Sequence, residues 1–186
     1  MLIQKRKNLL VSVVILAIFI LMLLVYFNLK EPRELPITGD IVSSYNNPDE
    51  LKQAAELIVE VAIEDTKSIN FENVLFTLSK GKVKHNYKGE TVDTINILET
   101  GGTGEINING RDEKVKMVFE ENEVFNENEH AILYLERYEG PIVQDAYVIL
   151  GVYQGKFKLE PQSKKVIPPN HAGKLEEVLE LKDLEL

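Results

Sequence analysis

No cysteine occurs anywhere in the chain. That absence excludes a disulfide framework, a lipoprotein-type lipid attachment site and a thiol nucleophile. Histidine is nearly as scarce, with three isolated copies, His85, His130 and His171. Zinc sites usually draw two ligands from one short motif, such as histidines at i and i+4 of a helix, and none is present here. There is no Gly-x-Ser-x-Gly elbow and no Gly-Lys-Ser/Thr phosphate loop. Positive charge is also short, with 21 Lys and Arg against 30 Asp and Glu and a net charge of −9. Nucleic-acid binding needs a basic footprint that displaces counterions, so nucleic acid is not an expected partner.

What is present begins with a long apolar run. Lys5, Arg6 and Lys7 precede LLVSVVILAIFILMLLVYF, which extends from Leu9 to Phe27 without a charge. At about 1.5 Å rise per residue, a helix of this length crosses a hydrocarbon core of about 30 Å. Its only polar side chain is Ser12, whereas a soluble core helix would carry a polar face. A cleaved signal peptide would end in small residues, but this run ends in Leu24-Val25-Tyr26-Phe27 followed by Asn28-Leu29-Lys30. The run therefore reads as an uncleaved signal anchor. The basic residues before it place the N-terminus in the cytoplasm, and Tyr26 and Phe27 at the outer interface.

The expected organisation is a cytoplasmic basic tail over 1–8, a transmembrane signal anchor over 9–27 and a flexible stalk over 28–44. An extracytoplasmic mainly-β domain over 45–168 and a C-terminal amphipathic helix over 169–186 follow. The stalk reading rests on two prolines, a glycine and mixed charges in NLKEPRELPITGDIVSS. Asn47, Pro48 and Glu50 form a helix start, with a cap, a proline at the first position and an acid three residues on. Leu51, Ala54, Ala55 and Ile58 then fall on one helical face.

Beyond this helix the apolar period shortens to two. Strands are expected over Leu57–Ile63, over Val74–Leu78 continuing to Val83–Tyr87 with a break or bulge at Gly81, and over Val92–Leu98. Gly101–Gly104 reads as a loop, and Asn109-Gly110 as a two-residue hairpin turn between Ile106/Ile108 and Val115/Met117/Phe119. The acidic segment ENEVFNENE (121–129) reads as another loop. Ala131–Tyr138, Ala146–Val152 and Lys156–Leu159 complete the strands, and a helix from Lys174 to about Lys182 buries Leu175, Val178 and Leu179. The fold class expected is mainly β (α+β), a small antiparallel barrel or sandwich flanked by two short helices.

The segments VLFTLSKGKVKHNYKGE, INILETGG, AILYLERYEG and VYQGKFKLE, with their Lys-Gly turn, ETGG loop and YQGKF turn, resemble a family of membrane-anchored or secreted β-domain proteins of Gram-positive bacteria. The resemblance covers roughly 45–160 and is one of turns. More distantly the layout is similar to netrin-like and other OB-type barrels. It implies a cell-envelope location and no catalytic residue.

The remaining motifs are weak. Leu35-Pro36-Ile37-Thr38-Gly39 matches the LPxTG signal of sortases. Working signals precede a C-terminal apolar span and a basic tail, and the order here is reversed. The expectation is a chance match in a linker. Gly101–Gly104 is followed by Glu105-Ile106-Asn107-Ile108, a strand pattern that lacks the helix N-terminus of a phosphate cradle. Glu120, Glu121, Glu123, Glu127 and Glu129 lack the alternating ligands and central glycine of a calcium loop. No catalytic, cofactor-binding or metal-binding residue is assigned, and no cofactor is expected. The function expected is a membrane-anchored, extracytoplasmic binding or interaction module whose partner is an envelope protein or peptide. The alternatives are an envelope hydrolase or wall-modifying enzyme with scattered residues, and a structural assembly subunit.

Overall fold

The computed structural model describes residues 15–22, 31–39, 43–90, 92–160, 163, 165–184 and 186. The chain divides into two compact units, Met1–Pro32 and Arg33–Leu186. In the first, residues 15–22 are α-helical and exposed all round, from Ile15 to Met22. Among the described residues no helix is long and apolar enough to cross a membrane. The expected tail and the rest of the expected span, 9–14 and 23–27, lie outside the described residues, as do 28–30 and 40–42 of the expected stalk.

The second unit is mainly β, with two sheets. Its strands are β1 (Arg33–Ile37), β2 (Leu57–Phe71), β3 (Val74–Lys88), β4 (Thr94–Thr100), β5 (Gly102–Ile108), β6 (Arg111–Phe119), β7 (His130–Arg137), β8 (Tyr147–Ile149), β9 (Lys156–Leu159) and β10 (Val166–Ile167). A seven-stranded sheet runs β10-β9-β7-β2-β3-β4-β8, and β8 also pairs with β7. The ladder β2-β3-β4-β8-β7 thus returns to β2 as a closed circuit, antiparallel except between β4 and β8. The second sheet has the order β1-β6-β5.

Period-two alternation sorts the side chains. Leu57, Val59, Val61, Ile63, Ile95, Ile97, Ala131, Leu133, Leu135 and Ile149 form one buried cluster. Ile58, Ile132, Tyr134 and Phe157 belong to a second, with Leu51 of helix α1 (Pro48–Ala54), the capping residue Ala55 that follows it, and Tyr153, Leu175 and Leu184. Each such side chain contributes about 1.5–3 kcal/mol on full burial, so these two layers dominate the stability of the unit. Leu75, Ile106, Val115 and Met117 form a smaller cluster beneath the three-stranded sheet.

Helix α1 starts as the sequence predicts. The Glu50 amide donates to Asn47 Oδ1 at 2.9 Å, and Glu50 Oε2 accepts from the Asn46 amide at 2.7 Å. The hairpin at Asn109-Gly110 also forms, with both residues at positive φ (+53° and +82°), as a type I′ turn requires.

Four boundaries differ from expectation. Residues 33–37 of the expected stalk are strand β1, parallel to β6, with Leu35 opposite Met117 and Ile37 opposite Phe119. Leu35 and Ile37 supply apolar contacts, and Pro36 is tolerated because β1 is an edge strand. Ordered structure in this unit therefore begins at Arg33, not Tyr45. Strand β2 runs to Phe71 because β3 continues to pair with it after β7 departs at Ala62. Gly102–Gly104 lie in β5, and Gly101 and Gly102 (φ +116° and +122°) provide the kink that carries the chain from one sheet into the other. The expected C-terminal helix is instead two short 3-10 turns, Gly173–Glu177 and Leu181–Leu184. The Leu179 carbonyl, which a continuous helix would use internally, accepts from the Val166 amide at 3.2 Å. Leu175 and Val178 are buried as expected, but Leu179 is exposed.

Candidate functional site

Across β2, β3 and β4 the directly paired residues change character along the circuit. Ile63, Gly81 and Ile95 form an apolar row, then Thr66, Ser79 and Ile97, then Ser68, Thr77 and Glu99. A strand alternates faces with period two, so Gly81, Ser79 and Thr77 share one face of β3, as Ile95, Ile97 and Glu99 share one face of β4. The circuit is thus apolar at its middle and polar toward one mouth.

Glu99 meets Lys156 of β9 in that polar zone. Glu99 Oε1 and Lys156 Nζ are 2.6 Å apart, and both side chains are only 5% exposed. The remaining oxygen, Glu99 Oε2, accepts from the Phe125 amide at 3.0 Å. Lys156 Nζ also donates to the Glu123 carbonyl at 2.7 Å and lies 4.5 Å from the centroid of the Phe125 ring. Every charge in the pair is matched by a hydrogen bond, as burial of an ion pair demands. With both carboxylate oxygens engaged, Glu99 is built as an anchor.

What it anchors is the acidic loop. Phe125 is buried in the inner cluster, and the Asn128 amide donates to the Ile63 carbonyl at 2.9 Å. Lys116 of β6 holds Glu123, and Lys158 of β9 holds Glu129 at 2.9 Å. The hydrogen bond from Lys116 keeps the Glu123 carboxyl below its ordinary range. Asn122 and Asn170 exchange hydrogen bonds, tying the loop to the Pro168-Pro169 segment. Of the carboxylates considered as calcium ligands, Glu121, Glu123 and Glu129 thus go to three separate partners, His171, Lys116 and Lys158.

A hollow of about 180 Å³ lies directly against these features, between loop residues 121–123, Lys156, Lys158 and residues 167–170, and two others are larger. One, of about 300 Å³, lies at the polar mouth between Thr66, Ser68, Thr77, Thr103, Lys116 and the loop residues 123–126. The other, of about 440 Å³, lies at the β4–β8 seam against Glu90, Val92, Thr94, Asn96, Arg137, Asp145 and Tyr147. Of the residues of β4, strand β8 pairs with Ile97 and Leu98 alone, so β4 runs past it through Thr94–Asn96. The Arg137 guanidinium stacks over the Tyr147 ring at 5.4 Å, and Asn96 donates to the Asp145 carbonyl at 3.2 Å.

The histidines are not brought together. His85 packs on Tyr87 of β3 at 4.4 Å between ring centroids, His130 opens β7, and His171 faces Glu121 at 3.3 Å. Among the described residues no group of three His, Asp or Glu side chains is arranged to hold a metal ion. The chain matches no family model, no curated protein and no solved structure.

Sequence reasoning missed Glu99, Lys156 and the hydroxyl row. Their signal was a break in alternation. Glu99 continues the inward series Ile95, Ile97, and Lys156 stands at an inward position of a four-residue strand, where a charge needs a partner.

Proposed function

We propose that this protein is a membrane-anchored, extracytoplasmic binding module of the cell envelope, working without catalysis. The span 9–27 would hold it in the membrane with the N-terminus inside, and 33–186 would face outward as a small closed barrel of OB type. The strand circuit, with its single parallel β4–β8 pairing, supports the barrel reading. The apolar helix over 15–22, exposed all round, supports the anchor.

The observation that carries the binding role is the β4–β8 seam. Val92, at 70% exposure, is the most exposed large hydrophobic residue of the outer unit among those described. It borders a hollow holding the Arg137–Tyr147 stack, Glu90 and Asp145, and the segment of β4 that outruns β8. An apolar contact, an aromatic ring, charges of both signs and a strand edge together suit an extended peptide segment of another protein. Such a segment gains affinity from main-chain hydrogen bonds to the edge and specificity from side-chain contacts.

The test is site-specific photocrosslinking in intact cells, with p-benzoylphenylalanine at position 92 of the full-length chain and, as control, at exposed Lys80. A discrete adduct from position 92 alone, recovered in the membrane fraction, is expected. Equal labelling from both positions, or none from 92, would refute the docking role. Recovery of a mature N-terminus near residue 28 would refute the anchor.

A further inference from the structure

We infer that the polar mouth of the strand circuit, beneath the 121–129 loop, is a binding site for a neutral, hydroxyl-rich ligand the size of one sugar ring. This site is separate from the β4–β8 seam and does not depend on it.

The chemistry of the lining points to that class. Thr66 and Ser68 of β2, Thr77 of β3 and Thr103 of β5 bring four hydroxyl-bearing side chains to one hollow from three strands. A hydroxyl donates one hydrogen bond and accepts two, so such a lining complements a ligand whose groups also do both. An anion accepts only, and would look for uncompensated cations. The ammonium at the rim, Lys116, is neutralised by Glu123, and the chain as a whole is strongly acidic. A charged ligand of either sign would have to break that rim pair. A neutral one leaves it in place.

The geometry is prepared in advance. The Thr77 hydroxyl donates to the Gly101 carbonyl at 3.0 Å, which orients its lone pairs for acceptance. Gly102 makes room for it, since a Cβ there would lie 2.3 Å from Thr77 Oγ1. On the same face of β3, one pair further in, Ser79 Oγ is fully buried and has no hydrogen-bond partner among the described residues. Buried hydroxyls are nearly always partnered, so this one marks a polar zone with unspent bonding capacity beside the mouth. Met117 and Val124 give the hollow an apolar wall, suited to the C–H face of a ring or to a methyl substituent. Its volume of about 300 Å³ equals the share of about ten liquid waters at about 30 Å³ each, enough for a single pyranose but not a chain of them.

The experiment is an amide chemical-shift titration of the isotope-labelled full-length protein in detergent micelles. The probe is N-acetylglucosamine, which offers hydroxyls, an amide and a methyl, and inorganic phosphate is the charged comparison. Saturable shifts confined to residues 66–68, 77–79, 102–103 and 123–126 are expected with the sugar, at millimolar affinity, and none with phosphate. Thr103→Val and Thr66→Val, near-isosteric changes whose folding the amide spectrum itself reports, should each weaken binding by about three- to tenfold, the worth of one neutral hydrogen bond. Val92→Ala, at the seam, should leave the titration unchanged. The inference is overturned if the sugar gives no saturable shifts or shifts other amides, if phosphate binds as well, or if binding is indifferent to both hydroxyl deletions in folded protein.

Discussion

Replacing Lys156 with methionine tests whether the buried ion pair holds the acidic loop in place. Methionine preserves most of the side-chain volume in a core position but removes the ammonium. Glu99, 5% exposed, then keeps a single hydrogen bond, from the Phe125 amide, and the Glu123 carbonyl loses its donor. Leaving one member of a buried pair without its partner costs about 3–5 kcal/mol, far above the 0–1 kcal/mol typical of a surface pair. The double variant Glu99→Gln/Lys156→Met removes both charges, and the Gln carbonyl oxygen still accepts from Phe125. Its cost should fall to about 1–2 kcal/mol, that of an imperfectly replaced hydrogen bond. The double change is therefore expected to be milder than Lys156→Met alone. Denaturant unfolding of the full-length chain in detergent, followed by circular dichroism, measures both, and hydrogen exchange at Phe125 and Asn128 reports whether the loop detaches first. A loss below about 1 kcal/mol for Lys156→Met, or a double variant no milder than Lys156→Met alone, would refute the anchoring role.

Three other outcomes follow from the packing and charge. Gly102→Ala should destabilise by more than about 1 kcal/mol in the same unfolding assay, because alanine resists a φ of +122° and its Cβ would strike Thr77 Oγ1. Ile37→Ala should cost about 1–2 kcal/mol, roughly half the value for a fully buried site, while Thr38→Ala, at an exposed position, should stay within about 0.5 kcal/mol; equal effects would mean that β1 is not docked on β6. The Glu123 carboxyl is held below its reference value of 4.5, chiefly by Lys116, so its contribution is complete above that pH and is lost as the pH falls through the lower folded value. Protection of the amides at residues 123–126, taken relative to the intrinsic exchange rate at each pH, should accordingly fall on acidification in wild type, and Lys116→Met should flatten that dependence.

The elements set by local chemistry were legible in the sequence. The Asn47 cap, the Asn109-Gly110 turn and the alternation of Ile95, Ile97 and Ile132–Tyr134 each depend on neighbours in the chain. What was not legible depends on distant partners. The C-terminal segment has a helical apolar spacing, but the Leu179 carbonyl is taken by Val166. Strand β2 outlasts its apolar pattern because β3 stays paired with it as far as Phe71. The polar mouth combines hydroxyls from β2, β3 and β5 that no spacing connects, and Glu99 meets Lys156 from 57 positions away. A charged residue at an inward strand position predicts that a partner exists without saying which residue it is.

The same distinction bears on Leu35-Pro36-Ile37-Thr38-Gly39. Composition alone placed it in a solvated linker, where an extended motif would be open to any enzyme that binds substrates as strands. In the folded unit its backbone is already committed. Leu35 and Ile37 face the small apolar cluster under the three-stranded sheet, and the Ile37 carbonyl accepts from the Glu120 amide at 3.1 Å. Gly39 lies so close to Phe119 that a Cβ would stand 3.2 Å from its ring. A sortase needs the peptide extended and unpaired in its own groove, so it competes with β6 for the same strand. Access to the Thr38–Gly39 bond therefore requires β1 to leave the sheet, and with it the apolar contacts of Leu35 and Ile37. An edge strand of five residues opens more readily than the core, but it is protected in proportion to the free energy of that opening. The match to a sorting signal and the role as a strand draw on the same residues, because an apolar Leu and Ile flanking a proline suit an edge strand as well as they suit an enzyme's groove.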